Sequence, residues 1–305
     1  MKNSSELRKS YIFDKYSIIA PGREKRPHDN NSKTSAKVAC PFCLPEIKKR
    51  KVLKSITGDK GDKIIAIQNE FPALSENNPQ AYGEQEVIIE SKKHNSQMAN
   101  MPVAQIIGIL KMYAARSRAI AKNKKIKYIL CFKNYGGAAG ASLNHPHSQI
   151  FASAILPPDI QEESDKAKEY FKKEKHCVYC DIIKKESKSE RHIFSDKHMV
   201  AFTPYASQFP YEVWIFSRRH TDNIGNLKIA ELHSLATMLK KICSKLKNKN
   251  LDFNYFLHNS IIDKQQHFYV KIQPRQGIWA GVELGSGIVV DSVSPEAAAK
   301  YYRHK

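Results

Sequence analysis

The chain of 305 residues has no long apolar run. No segment approaches the ~18 consecutive apolar residues of a membrane-spanning helix, which excludes an integral helical membrane protein. The opening stretch MKNSSELRKSYIFDKYS carries no apolar core of a secretory leader. A cytoplasmic location is therefore the expectation. Acidic residues are scarce: 30 Asp+Glu stand against 50 Lys+Arg, for a formal net charge of +20. Long single-sign tracts are missing too, because the lysines are spread along the chain. Dispersed charge reads first as a solvated basic surface. The sharper alternative is an anionic partner such as nucleic acid, phosphate or nucleotide. A hydrophobic fraction of 41% with 26% charged residues supports a real core and excludes a mostly disordered chain. The length allows one large domain or two ordinary ones.

Cysteine is also sparse, at six. Cys131 lies in the apolar run Tyr128–Phe132, and Cys243 falls on the apolar face of an expected helix, so both read as small core residues. The other four form two Cys-x-x-Cys pairs, Cys40/Cys43 and Cys177/Cys180. In a cytosolic chain that pattern indicates metal or redox chemistry before disulfides.

Each pair opens a similar succession of elements. After the first come a strand at 63–67, the loop Asn69-Glu70-Phe71-Pro72, and a strand at 86–91 ending on His94. A helix follows from about Pro102 to Lys122, with Val103, Ile106, Ile107, Leu110 and Tyr113 at helical spacing and Asn100 as the expected cap. Then come a strand at 126–133, a Gly-rich loop and His145-Pro146-His147-Ser148-Gln149. After the second pair the order returns: a strand at 198–202, a strand at 212–217 ending on His220, a helix at about 227–246, a strand at 253–257, and His267-Phe268-Tyr269. Chance readily supplies two Cys-x-x-Cys pairs, but not the same succession after both. The chain therefore reads as α+β, built by internal duplication of an antiparallel unit with one main helix. Expected boundaries are a catalytic unit at 1–158, a charged connector at 159–175 and a second unit at 176–305.

Zinc takes four Cys or His ligands in a tetrahedron. The two pairs are too far apart in sequence for one shared zinc ribbon. Each pair is expected to recruit His from its own repeat: His94 and His145 for the first site, His220 and His267 for the second. A thioredoxin-like redox pair is the alternative, and the matched His in both repeats argues against it. Two zinc ions per chain are expected.

The segment His145–Gln149 is the candidate catalytic strand. In an extended chain residues 145, 147 and 149 share a side. One His can then bind metal while the next meets a substrate. His147 can attack phosphorus as neutral imidazole if its other nitrogen is held by an acceptor. Gln149 can donate to a phosphate oxygen as charge develops. The stretch Gly136–Ser142 allows close backbone approach and offers N–H groups to an anion. The second repeat has Tyr269 where the first has His147, so one catalytic centre per chain is expected.

These motifs resemble the galactose-1-phosphate uridylyltransferase family, the transferase branch of the histidine-triad superfamily, over about Lys15 to Ala299. The resemblance implies two tandem histidine-triad-like units. It places Cys40, Cys43, His94 and His145 on the family's zinc ligands. It implies that His147 attacks the α-phosphorus of a nucleoside diphosphate sugar, releases the sugar 1-phosphate and holds the nucleotide for a second phosphate. Arg23 and Arg26 would neutralise phosphate charge. Asn134, Ser142 and Gln149 would hold the phosphates, Asn69 and Phe71 the nucleoside, and Glu283 a sugar hydroxyl. A homodimer, with each C-terminal loop closing the partner's site, is also implied. The segment Ala280-Gly281-Val282-Glu283 and the second Cys/His set resemble the nucleotide-sugar phosphorylase relatives, which can transfer adenylyl groups to inorganic phosphate. The leading expectation is a UDP-glucose:hexose-1-phosphate uridylyltransferase, with an ADP-sugar phosphorylase as the alternative. A zinc-stabilised nucleic-acid-binding protein is the rival from another class; it leaves His147 and Gln149 without a role.

Overall fold

A computed structural model describes residues 5–9, 15–20, 40–43 and 46–304. The elements run β1 (Glu6–Lys9), β2 (Tyr16–Ile19), β3 (Val52–Thr57), β4 (Lys63–Gln68), β5 (Gly83–Ile89), α1 (Val103–Ile120), β6 (Tyr128–Tyr135) and β7 (His147–Ser153). They continue with α2 (Pro158–Glu174), α3 (Val178–Glu186), β8 (His192–Ser195), β9 (Met199–Phe202), β10 (Val213–Ser217), α4 (Ile229–Asn248), β11 (Phe253–His258), β12 (Tyr269–Pro274), α5 (Gly281–Ser286) and α6 (Pro295–Arg303). β1 and β2 form a separate hairpin-like pair. The other ten strands make one sheet in the order β3-β4-β5-β7-β6-β11-β12-β10-β9-β8. Its pairings are all antiparallel.

That order is its own mirror image about the β6–β11 junction, as the duplication requires. Phe132 of β6 pairs with Phe256 of β11 at the centre. The histidine-triad-like units are thus joined edge to edge, and their central strands hide each other's edges from other chains.

Strand alternation assigns the two faces of the sheet. Ile64, Ala66, Ile88, Ile150, Met199, Ala201 and Ile215 enter the large core beneath α1 and α4. Their neighbours Ile67, Val87 and Ile89 point the other way, toward Phe42. Val200, Phe202, Phe216 and Tyr269 do the same in the second unit, beside Ala167 of α2 and Tyr179 and Ile183 of α3. The two helix-face cores are continuous, because Tyr113 of α1 meets Tyr255 of β11 through a buried 2.7 Å hydroxyl contact.

Several boundaries differ from expectation. Asn100 does not cap α1; Pro102 occupies the N-cap without a side-chain bond, and Asn100 accepts from Lys247 instead. The charged connector is the helix α2, whose sparse apolar residues share one face. Its many charges conceal that periodicity, and tertiary burial of Ala167 and Ser164 makes it stable. The helices α3 and α6 and the strand β8 were not anticipated from the sequence.

Candidate active site

The first Cys-x-x-Cys forms a turn closed by the Cys43 N–H donating to the Cys40 carbonyl at 3.1 Å. His94 stands on a turn just beyond β5. Asp62 fixes that turn by accepting from the Lys92 backbone at 2.9 Å and from the Ser91 hydroxyl. His145 lies at the mouth of β7, with Pro146 ending the loop before the strand begins at His147. One ligand atom from each of Cys40, Cys43, His94 and His145 falls within 4.8 Å of all the others. Both imidazoles turn Nδ1 to the Cys43 sulfur at 3.4 Å. His145 donates Nε2–H to the Ser91 carbonyl at 2.9 Å, which places its lone pair on Nδ1, facing the cluster. Burial lowers the His145 pKa, which disfavours the protonated ring. Burial also pushes the Cys40 thiol up to about 11, so a thiolate there needs a cation beside it. Donor type, tautomer and spacing all fit a tetrahedral zinc.

The second cluster gathers Cys177, Cys180 and His220 in the same way. His220 presents Nδ1 to Cys180 at 3.7 Å and donates Nε2–H to the Lys264 carbonyl at 3.2 Å. Cys177 is held down to about 6, first by the Cys180 thiol and then by backbone N–H groups of Cys180 and Tyr179 at the start of α3. His267 is outside this tight group. Its ring lies 5.1 Å from that of His220, and its buried Nε2 has no hydrogen-bond partner among the described residues.

β7 aims His147 and Gln149 at the face of the sheet away from the helices, since the intervening Ser148 and Ile150 point toward α1. The His147 ring packs against Phe42 at 5.2 Å. Its Nδ1–H donates to the His145 carbonyl at 2.8 Å. The basic lone pair is therefore on Nε2, the arrangement an imidazole nucleophile needs. His147 lies between two cavities of about 60 and 210 Å³. Asn69, Phe71, Ser142 and Gln149 line the first with it. Asn134 and the Gly136 turn line the second. The Asn69 side chain accepts from the Phe71 N–H at 2.9 Å, which shapes that wall.

Further residues of the site were not singled out from the sequence. Lys133 and Glu90 form a buried ion pair of 2.7 Å on the helix face, and the Lys133 ammonium also donates to the His147 carbonyl at 3.0 Å. From the second unit, Asn254 donates to the Asn134 side chain and to the Ala139 carbonyl, both at 2.8 Å. Asp252 accepts from the Ala138 N–H at 2.8 Å. Gly136 has φ +83°, and a Cβ there would lie 1.9 Å from the Asp252 carboxylate, so the turn requires glycine. Sequence spacing within one repeat could not reveal the Asn254 and Asp252 contacts, because they cross between repeats.

Glu283 is not brought to this site within the chain. It caps the short α5, accepting from the Ala280 N–H at 3.0 Å. Arg23 and Arg26 lie outside the described residues.

The comparisons agree with this geometry. The family model for galactose-1-phosphate uridyl transferase, N-terminal domain, matches residues 3–157, and a model for a domain of unknown function matches residues 90–302. ADP-glucose phosphorylase of Arabidopsis thaliana is 31% identical over 98% of this chain and 93% of its own length. Galactose-1-phosphate uridylyltransferase of Thermotoga maritima is 27% identical over 98% of each chain. The crystal structure of the Arabidopsis thaliana ADP-glucose phosphorylase with bound ADP-glucose matches with a TM-score of 0.80 at 30% identity, covering 99% of both chains. A solved uridylyltransferase matches with a TM-score of 0.83 at 27% identity, over 98% of this chain and 97% of its own. With the nucleophile geometry, the Cys/His cluster and the paired half-sheets in place, the chain belongs to the galactose-1-phosphate uridylyltransferase family.

Proposed function

We propose that this nucleotidyltransferase works through a covalent nucleotidyl-His147 and that its donor is UDP-glucose. The observation that carries the reading is the His147 tautomer, fixed by the His145 carbonyl with Nε2 as the nucleophilic atom. The Nε2 lone pair forms a bond to the α-phosphorus as the bridging P–O bond breaks, and the sugar 1-phosphate leaves with that electron pair. An oxygen of the second phosphate, from a hexose 1-phosphate, then displaces His147 and takes the nucleotide. Gln149 donates to the phosphoryl oxygens as charge gathers there. Asn134 and Ser142 hold the phosphates, Arg23 and Arg26 neutralise them, and Asn69 and Phe71 grip the nucleoside.

Zinc at Cys40, Cys43, His94 and His145 would fix the His145 backbone, and so the carbonyl that orients His147. A second zinc at Cys177, Cys180 and His220 would take the unpartnered Nε2 of His267 as its fourth donor. Unit boundaries of 1–158, 159–175 and 176–305 are supported by the mirror order of the strands. A homodimer is supported by the exposed apolar run Ile278, Val282, Leu284, Ile288 and Val290, which would carry Glu283 to the partner's sugar. A cytoplasmic location accords with the lack, among the described residues, of any helix long and apolar enough to cross a membrane.

The Arabidopsis thaliana relative supports a second reading, with ADP-glucose as donor and inorganic phosphate as acceptor. Incubation with UDP-glucose or ADP-glucose labelled in the nucleotide, followed by recovery of the protein, separates the two. Label from UDP-glucose and none in His147→Ala is the expected result. Label from ADP-glucose alone selects the phosphorylase. Label that persists in His147→Ala removes His147 as the nucleophile.

A further inference from the structure

The pseudo-two-fold through Phe132 and Phe256 relates two cavities. One is the 210 Å³ cavity beside His147, at the end of β6, with Asn134, Tyr135 and, from the approach to β11, Asp252. Its counterpart opens at the end of β11 and is larger, about 510 Å³. There His258 stands for Asn134, Asn259 for Tyr135 and Tyr128 for Asp252. The second cavity thus lacks the acid at the equivalent position, and the base Lys127 stands one residue before it.

The second unit has lost the nucleophile. Tyr269 occupies the place of His147, and its hydroxyl donates to Glu163 at 2.7 Å. Yet its cavity is lined by three buried polar side chains whose nitrogens make no hydrogen bond among the described residues: Asn259 Nδ2, Gln266 Nε2 and His258 Nδ1, the last facing the Glu163 carboxylate at 3.7 Å. They are 1%, 3% and 7% exposed. The Asn259 orientation is fixed, because its Oδ1 accepts from the Ile224 N–H at 2.9 Å, so its NH2 group is the end without a partner. Tyr179 has one hydroxyl proton and stands 2.9 Å from both Glu163 and Gln266. Whichever it serves, the Gln266 amide keeps one polar end unmatched. Buried polar groups are almost always satisfied, so the two unmatched amides around one cavity point to a bound polar molecule. Lys127, Lys168 and Lys172 line the same cavity against a single carboxylate, Asp263, which pairs with Lys168 at 3.3 Å and leaves Lys127 and Lys172 in excess. Tyr128 and Phe171 supply aromatic wall. The volume is that of a small-molecule site.

We propose that this cavity is a second, non-catalytic site for an organic phosphate ester, a nucleoside monophosphate or a sugar 1-phosphate. Its phosphate meets the lysines, and its hydroxyl or base groups meet Asn259, Gln266 and His258. The site binds without turnover, since Tyr269 has no lone pair suited to attack phosphorus at neutral pH.

Hydrogen exchange on the full His147→Ala chain tests this with AMP, UMP, glucose 1-phosphate or inorganic phosphate added separately. At least one ester is expected to slow exchange of amides in 257–268 several-fold. The exposed-surface variant Lys127→Glu/Lys172→Glu is expected to remove that protection and weaken binding at least tenfold. Protection around 134–149 is expected to survive in the same variant. No protection of 257–268 by any ester overturns the site, as does protection that survives charge reversal. Equal protection by inorganic phosphate alone overturns the ester assignment. Comparing the nucleotide arms with the sugar arm identifies which ester is held.

Discussion

Lys133 shows how the site depends on a buried pair of charges behind the strand that carries His147. Its ammonium is shared between the Glu90 carboxylate and the His147 carbonyl, with both charged side chains buried. Removing one partner leaves the other charge uncompensated, at a cost of about 3–5 kcal/mol. Lys133→Met is therefore expected to lower unfolding free energy by about that amount, read from denaturant midpoints, and to slow nucleotidylation of His147. Burial likewise shifts the buried His258, whose pKa falls to about 4. The unfolded chain takes up that proton near pH ~6.5 and the native one does not. Stability from this group is complete above pH ~6.5 and is lost as pH drops toward about 4. The loss amounts to at most about 3 kcal/mol. Melts between pH ~7 and ~5 are expected to show a shallower slope in His258→Gln than in the parent.

The Cys-x-x-Cys turns and the strand ends form one connected device. Asp62 holds the turn that carries His94, Ser91 accepts from His145, and the His145 carbonyl accepts from His147. A metal lost from the first cluster would therefore loosen the nucleophile without touching it. Cys43→Ser is expected to reduce bound zinc from about two equivalents to about one, measured by elemental analysis. Labelling at His147 is expected to fall in parallel. Unchanged metal content would mean that Cys43 is not a ligand. Helix positions were readable where apolar residues kept a 3.6-residue period, as in α1 and α4. α2 was not, because its exposed faces are charged and its buried stripe is narrow. α3 was hidden because its first turn contains the second Cys-x-x-Cys, a motif that reads as a loop.

The ten-stranded sheet makes the two units unequal partners. Each has a Cys/His cluster, but only the first has His at the strand position beside the cluster. Label is accordingly expected to saturate at about one nucleotide per chain; two would require a second nucleophile that the Tyr269 position does not supply. The second unit contributes in another way, by lending Asn254 and Asp252 to the loop that faces His147. Neither unit therefore holds the complete site.

The duplication, the strand that carries His147 and Gln149, and the Cys and His positions that the fold gathers into the first cluster were legible in the chain, because Cys-x-x-Cys spacing and strand alternation are local and repeat. The tautomer of His147, the Lys133–Glu90 pair and the bracing of the Gly136 turn by Asp252 were not. They depend on contacts between residues distant in sequence, which arise where strands pair and helices cover them. The same holds for the cavity at the end of β11: its lysines come from the approach to β6 and from α2 and its unmatched polar groups from the second unit, and only the β6–β11 junction brings them to one place.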